Sequence, residues 1–257
     1  MPRPKLLSAL TWPKYEQAVL DVFVAALDRL GQESTLPQGE EPINLKLYWK
    51  ALEVHWQKLQ AKQSIPFIID FDSTNQPEPD DTSESRRLKK RPDFACAMVN
   101  EQETDYTKSQ VRYSLECKRL GAAAGPWVFT ENYSERGMLR FRQTDHSYAK
   151  GKTSAAMIGY VQNMTDANLL NEVNQHAQAR NIPSLTMAAT AWATKTTTHL
   201  GQAGLTRDFG VDLIQLRHLW LDLRHCTFTP SASKPKNLKA RVKKTKKKVT
   251  KRKPKQS

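Results

Sequence analysis

The chain has 257 residues, of which 39% are hydrophobic, and a formal net charge of +14. This length buries one substantial core, with room for insertions or a small second lobe, and the composition excludes a wholly disordered protein. No apolar run is long enough to span a membrane, and the stretch after the basic start Met-Pro-Arg-Pro-Lys is too short for a signal peptide.

A first helix is well marked. Thr11 is placed to cap it, Pro13 suits its first turn, and Leu20, Phe23, Val24, Leu27 and Leu30 recur at helical spacing. Glu16 lies one turn earlier on the Leu20 and Phe23 side. It is either a first-turn glutamate favoured by the helix dipole or a carboxylate turned towards a site. Residues 32–42, rich in Gly, Pro and acids, read as a loop. A second helix is predicted from Asn44 to about Lys62, with Leu45, Trp49, Leu52, Trp56 and Leu59 as its buried stripe. Trp49 and Trp56 are read as core, base stacking being the alternative. Ile65–Phe71 reads as a strand ending in acids at Asp70 and Asp72, and 75–90 as a polar loop.

Two short runs carry the chemistry. Arg-Pro-Asp-Phe-Ala-Cys-Ala-Met holds Pro92 and Asp93; Tyr-Ser-Leu-Glu-Cys-Lys-Arg holds Glu116, Cys117 and Lys118. Both suit strands. In the second, Leu115 and Cys117 face one side and Glu116 and Lys118 the other, because side chains alternate across a strand. Two carboxylates and one ammonium on one sheet face suit metal-assisted cleavage of a phosphodiester. Residues 100–110 between the runs read as an exposed turn.

With these residues in this order, after a helix and an apolar strand, the chain resembles the PD-(D/E)XK nuclease superfamily over roughly residues 12–224. The resemblance implies an α/β, restriction-endonuclease-like fold with a mixed central sheet flanked by helices. It implies Asp93 as first acid, Glu116 as second and Lys118 as the lysine. Mg²⁺, with Mn²⁺ as an alternative, would be held by Asp93, Glu116 and the Cys117 carbonyl. Glu16 becomes a candidate third carboxylate. A helix expected over Ser154 to about Arg180, with Met157, Ile158, Val161 and Met164 on one side, makes Gln162 a candidate supporting residue.

Gly121-Ala-Ala-Ala-Gly125 permits close backbone approach, for a DNA backbone or a tight turn. Arg136, Arg140, Arg142, His146, Lys150 and Lys152 alternate with Tyr133, Phe141 and Tyr148, as a phosphate grip or as a solvated basic loop. His199 and Arg207 fall in a later loop, and Val211–Leu223 reads as the last strand. Cys96, Cys117 and Cys226 are odd in number and widely spaced, which suits reduced thiols in an intracellular, cytoplasmic setting, nuclear in a eukaryote. No zinc-ligand spacing, Gly-x-Ser-x-Gly or phosphate-binding Gly-Lys loop occurs.

Of the 40 Lys and Arg residues, thirteen lie between Lys234 and Lys255 with no acid among them, leaving 27 basic against 26 acidic residues elsewhere. Residues 1–230 are therefore expected as one nearly neutral nuclease-like domain, and 231–257 as a disordered basic tail. Through residues such as Lys243 and Lys244 the tail suits sequence-independent nucleic-acid binding by counterion release. A solubilising end, an acidic partner and a nuclear-import signal are its other readings. The function expected is a metal-dependent nuclease acting on DNA, with RNA a second possible substrate, as in restriction or phage defence. A homodimer or partner protein would supply specificity. The alternative is a non-catalytic nucleic-acid-binding or assembly subunit.

Overall fold

The apolar run Ser-Ala-Ala-Met-Ile-Gly-Tyr-Val is a strand in the middle of a sheet, and every one of its residues is buried. A strand with neighbours along both edges and helices over both faces has no polar side, so it lacks alternation and imitates a buried helix. The helix expected over 154–180 is thus corrected to a strand, Ser154–Val161, followed by a helix, Asp166–Gln178. The computed structural model describes residues 11–72, 90–101, 103–105, 109–188, 192–207 and 209–230. The expected basic tail, with Lys243 and Lys244, lies outside them.

In chain order the elements are α1 (Trp12–Leu30), β1 (Thr35–Pro37), α2 (Glu40–Gln60), β2 (Ile68–Phe71), β3 (Phe94–Val99), β4 (Gln110–Leu120), α3 (Phe129–Glu135), a 3₁₀ turn (Met138–Phe141), β5 (Ser154–Val161), α4 (Asp166–Gln178), β6 (Leu185–Met187), β7 (Thr197–Gln202), β8 (Leu205–Thr206), β9 (Leu213–Asp222) and β10 (Thr227–Thr229). The main sheet has the order β2-β3-β4-β5-β9-β7-β6, with β8 on β9. β4, β5 and β9 are parallel; the outer pairs are antiparallel. The architecture is a mixed α/β layer with a central mixed sheet flanked by helices. Among the described residues no helix is long and apolar enough to cross a membrane.

Alternation along the central strands makes two cores. Tyr113, Leu115 and Cys117 of β4, Ile158 and Tyr160 of β5, and Leu219 and Leu221 of β9 pack with α1 and α2. Leu120, Met157, Leu216 and Trp220 turn the other way and pack with α3, the 3₁₀ turn and α4.

The second helix departs from expectation at its start and on its buried face. It begins at Glu40, and the preceding loop contains β1, which pairs with β10. Its core residues are Ile43, Leu47, Ala51 and Val54, whereas Trp49 and Trp56 are 61% and 63% exposed. The helix carries two apolar stripes, and the bulkier one is on the outside.

Candidate active site at the open edge of β4

β3 and β4 pair from Val99–Gln110 to Phe94–Leu115, and there the ladder ends. β4 continues to Leu120, bonded to β5 along its other edge. Past Leu115, the N–H groups on the β3 side need acceptors from elsewhere. Two carboxylates provide them. Asp93 Oδ2 accepts from the Cys117 N–H at 2.7 Å, and Glu40 Oε2 from the Arg119 N–H at 3.3 Å. Asp93 stands immediately before β3, beyond Pro92, which has no N–H to offer a ladder. Glu40 is the first residue of α2, where the helix dipole favours an acid. The chain reaches it through Gly39 at φ 114°, a conformation glycine adopts without steric cost.

Glu116 and Lys118 project from the face of β4 opposite Leu115 and Cys117, as strand alternation requires, and Glu116 there meets the 3₁₀ turn. The Lys118 ammonium lies among four oxygens: Cys117 O at 2.6 Å, Glu40 Oε1 at 2.7 Å, Glu116 Oε1 at 2.8 Å and Asp93 Oδ2 at 3.9 Å. Arg140, from the 3₁₀ turn, donates to the same Glu116 Oε1. Both cations thus meet one oxygen of Glu116. The other, Oε2, is buried with no hydrogen-bond partner among the described residues.

Three carboxylates share two cations, and the protonation equilibria reflect the excess. Burial, then the neighbouring Glu116 charge, holds the Asp93 carboxyl well above the usual carboxylate range, with Lys118 pulling the other way. Burial likewise raises Glu116, against the opposing pull of Lys118 and Arg140. Burial disfavours the Lys118 charge, but Glu116, Glu40 and Asp93 together outweigh it and keep the ammonium protonated well above the ordinary lysine range.

The other candidates are dispersed. Glu16 is on the opposite face of the sheet, where it accepts from Arg217 Nε at 2.9 Å and the Tyr113 hydroxyl at 3.3 Å. It does not join Asp93, Glu116 and Lys118. Gln162 follows β5 instead of lying on a helix; its N–H donates to Leu120 O at 2.9 Å, and its half-exposed side chain forms none of the site's hydrogen bonds. Arg136 sits over Trp127, Arg142 donates to the carbonyls of Arg180 and Asn181, and Lys152 lies over Trp12. Lys150 is half-buried in the turn before β5. Of these basic residues only Arg140 reaches the carboxylates. Tyr133, Phe141 and Tyr148 are core residues, at most 1% exposed, and have no face to offer a base. Arg207 is buried and donates to the carbonyls of Ala149, Lys152 and Val211, so it ties loops together.

Sequence reasoning missed Glu40. The signal was Pro42, which a helix tolerates in its first turn and which therefore argued for a start before residue 42. Glu40 stands 78 residues from Lys118, and only the packing of α2 against the sheet joins them.

Among the described residues no three His, Cys, Asp or Glu side chains gather as a ready-made metal site. The donor set nevertheless fits Mg²⁺, which is usually held by one or two carboxylates with waters and substrate phosphate completing the shell. A hard cation would answer both the orphaned Glu116 Oε2 and the excess of carboxylates over cations. Compared with known proteins, the chain matches no protein-family profile, no curated protein and no solved structure.

Proposed function

We propose that this protein is a metal-dependent nuclease that hydrolyses phosphodiester bonds of DNA, with a restriction-endonuclease-like fold of the PD-(D/E)XK kind. One observation carries the reading: Asp93, Glu116 and Lys118 meet at the uncovered edge of β4 with a buried carboxylate oxygen left unpartnered. The strand order supports it, since a meander β2-β3-β4 feeds a parallel neighbour β5 across the layer that holds α3.

Asp93, Glu116 and the Cys117 carbonyl would hold Mg²⁺. When bound, the ion polarises a phosphoryl oxygen and lowers the pKa of water. Lys118, whose charge Glu116, Glu40 and Asp93 favour, supplies positive charge to the phosphate as charge accumulates there. Glu40 is a positioning residue: it holds the ammonium and the Arg119 N–H together. Arg140 neutralises Glu116 in the resting site and offers a guanidinium to a substrate phosphate.

The competing reading is a non-catalytic nucleic-acid-binding or assembly subunit, and it draws on the same ammonium, whose four oxygen neighbours make the cluster partly self-neutralising. Incubating the purified full chain with supercoiled and linear DNA separates the two, with Mg²⁺, Mn²⁺ or EDTA and an Asp93→Ala control. The nuclease reading expects metal-dependent cleavage reduced at least about 100-fold in Asp93→Ala, with DNA binding retained. Binding without cleavage under every condition favours the subunit.

A further inference from the structure

α2 is apolar on two opposite sides. Ile43, Leu47, Ala51 and Val54 close against the core. Opposite them, Leu45, Trp49, Leu52, Trp56 and Leu59 follow one another at spacings of four, three, four and three. At about 100° per residue they fall within an arc of about 80°. Leu45, Trp49 and Trp56 are 44%, 61% and 63% exposed; Leu59 is half-buried, and Leu52 is half-buried with one side packed against the core. A contiguous row of exposed large apolar side chains, rimmed by polar ones, marks an interaction surface. Alternating spacings of three and four over two heptads are the spacing onto which a second helix packs.

We propose that this seam is a dimer interface, closed by the α2 helix of a second copy running antiparallel across it. The order Leu-Trp-Leu-Trp is self-complementary only in that direction. Leu45 then faces Trp56 of the second copy, and Trp49 faces its Leu52, so all four layers set a large side chain against a smaller one. A parallel pairing would instead stack indole on indole. Lys46 and Glu53 flank the seam on the same side, and the antiparallel register puts each near its opposite charge in the second copy. Their present partners, Glu33 and Arg29, are partly solvated surface contacts that leave both available at the rim.

The exposed parts of the two indoles and Leu45 amount to roughly 400 Å² per copy, within the range of the functional patches of monomers. Two such patches with their flanking polar side chains reach roughly 1,200 Å², the lower end for a stable interface. The dimer is therefore of modest affinity. The interface lies on the outer side of α2 and depends on none of the nuclease chemistry.

Sedimentation equilibrium of the full chain over a concentration series tests this. The expected result is a mass that rises from 29.3 kDa towards twice that value. Trp49→Gln with Trp56→Gln should stay at the monomer mass throughout, with an unchanged far-ultraviolet circular dichroism spectrum. Lys46→Glu should weaken the dimer about tenfold and Glu53→Lys added to it should restore it, which reads the antiparallel register even if the double glutamine variant fails to fold. A monomer at every concentration overturns the proposal, as does a dimer indifferent to all these changes. A monomer whose tryptophan emission is quenched by single-stranded DNA, with the quenching lost in the glutamine variant, overturns it in favour of base stacking.

Discussion

Glu16 and Glu116 are both buried glutamates beside β4, on opposite faces of it, and their surroundings differ in kind. Glu16 meets one guanidinium and one hydroxyl, and both of its oxygens are engaged by Arg217. Charge is balanced there, one acid to one base, and the pair reads as part of the packing of α1. Glu116 shares two cations with Asp93 and Glu40, and one of its oxygens has no partner. A satisfied buried ion pair adds little beyond holding its elements in place. An over-acidic, under-satisfied cluster at a sheet edge costs stability, and a bound cation would relieve that cost.

Lys118→Met should widen the contrast most. Cleavage should fall about 100-fold or more. Asp93 and Glu116 already have raised pKa values, so their protons are bound more tightly in the folded state than in the unfolded one, and they lower stability as pH rises above the ordinary carboxylate range. Removing the ammonium should steepen that dependence. The melting-temperature deficit of the variant should be larger at pH 8 than at pH 5 and should shrink when Mg²⁺ is added, as thermal denaturation at the two pH values would report. A deficit independent of both pH and Mg²⁺ would mean that the carboxylates do not repel one another.

Glu40→Gln should act less severely. It keeps an acceptor for the Arg119 N–H but removes one charge from the ammonium's surroundings, so cleavage should drop about tenfold with little change in DNA affinity. Steady-state kinetics would separate this from a binding defect, which would appear in KM instead.

Glu16→Gln should have the smallest effect on chemistry and a clear one on stability. Cleavage should stay within a few-fold, while unfolding becomes easier by about 1–3 kcal/mol, because Arg217 and Tyr113 lose a charged acceptor. Urea denaturation of the variant measures this directly. A catalytic loss as large as that of Lys118→Met would make the two faces of β4 one functional unit.

The legible part of the site was the part encoded locally. Asp93, Glu116 and Lys118 could be read because a strand's two-residue period fixes which side chains share a face, and the Phe94–Leu115 register brings the two runs together. Arg140 was legible as a basic residue but not as the partner of Glu116. Glu40 was not legible because α2 carries it to the sheet through tertiary packing. The misreading of β5 has a related cause: burial on both faces erases the periodicity that separates a strand from a helix. On α2 two apolar stripes compete, and periodicity alone does not say which one meets the core.

The most direct test sets the two glutamates side by side. Full-length wild type, Glu116→Gln and Glu16→Gln would each be incubated with supercoiled DNA and Mg²⁺, with an EDTA control, and the relaxed and linear products quantified. The account predicts metal-dependent cleavage by wild type and by Glu16→Gln, and its loss in Glu116→Gln. Cleavage that survives Glu116→Gln, or that is absent from all three while DNA is still bound, would contradict it.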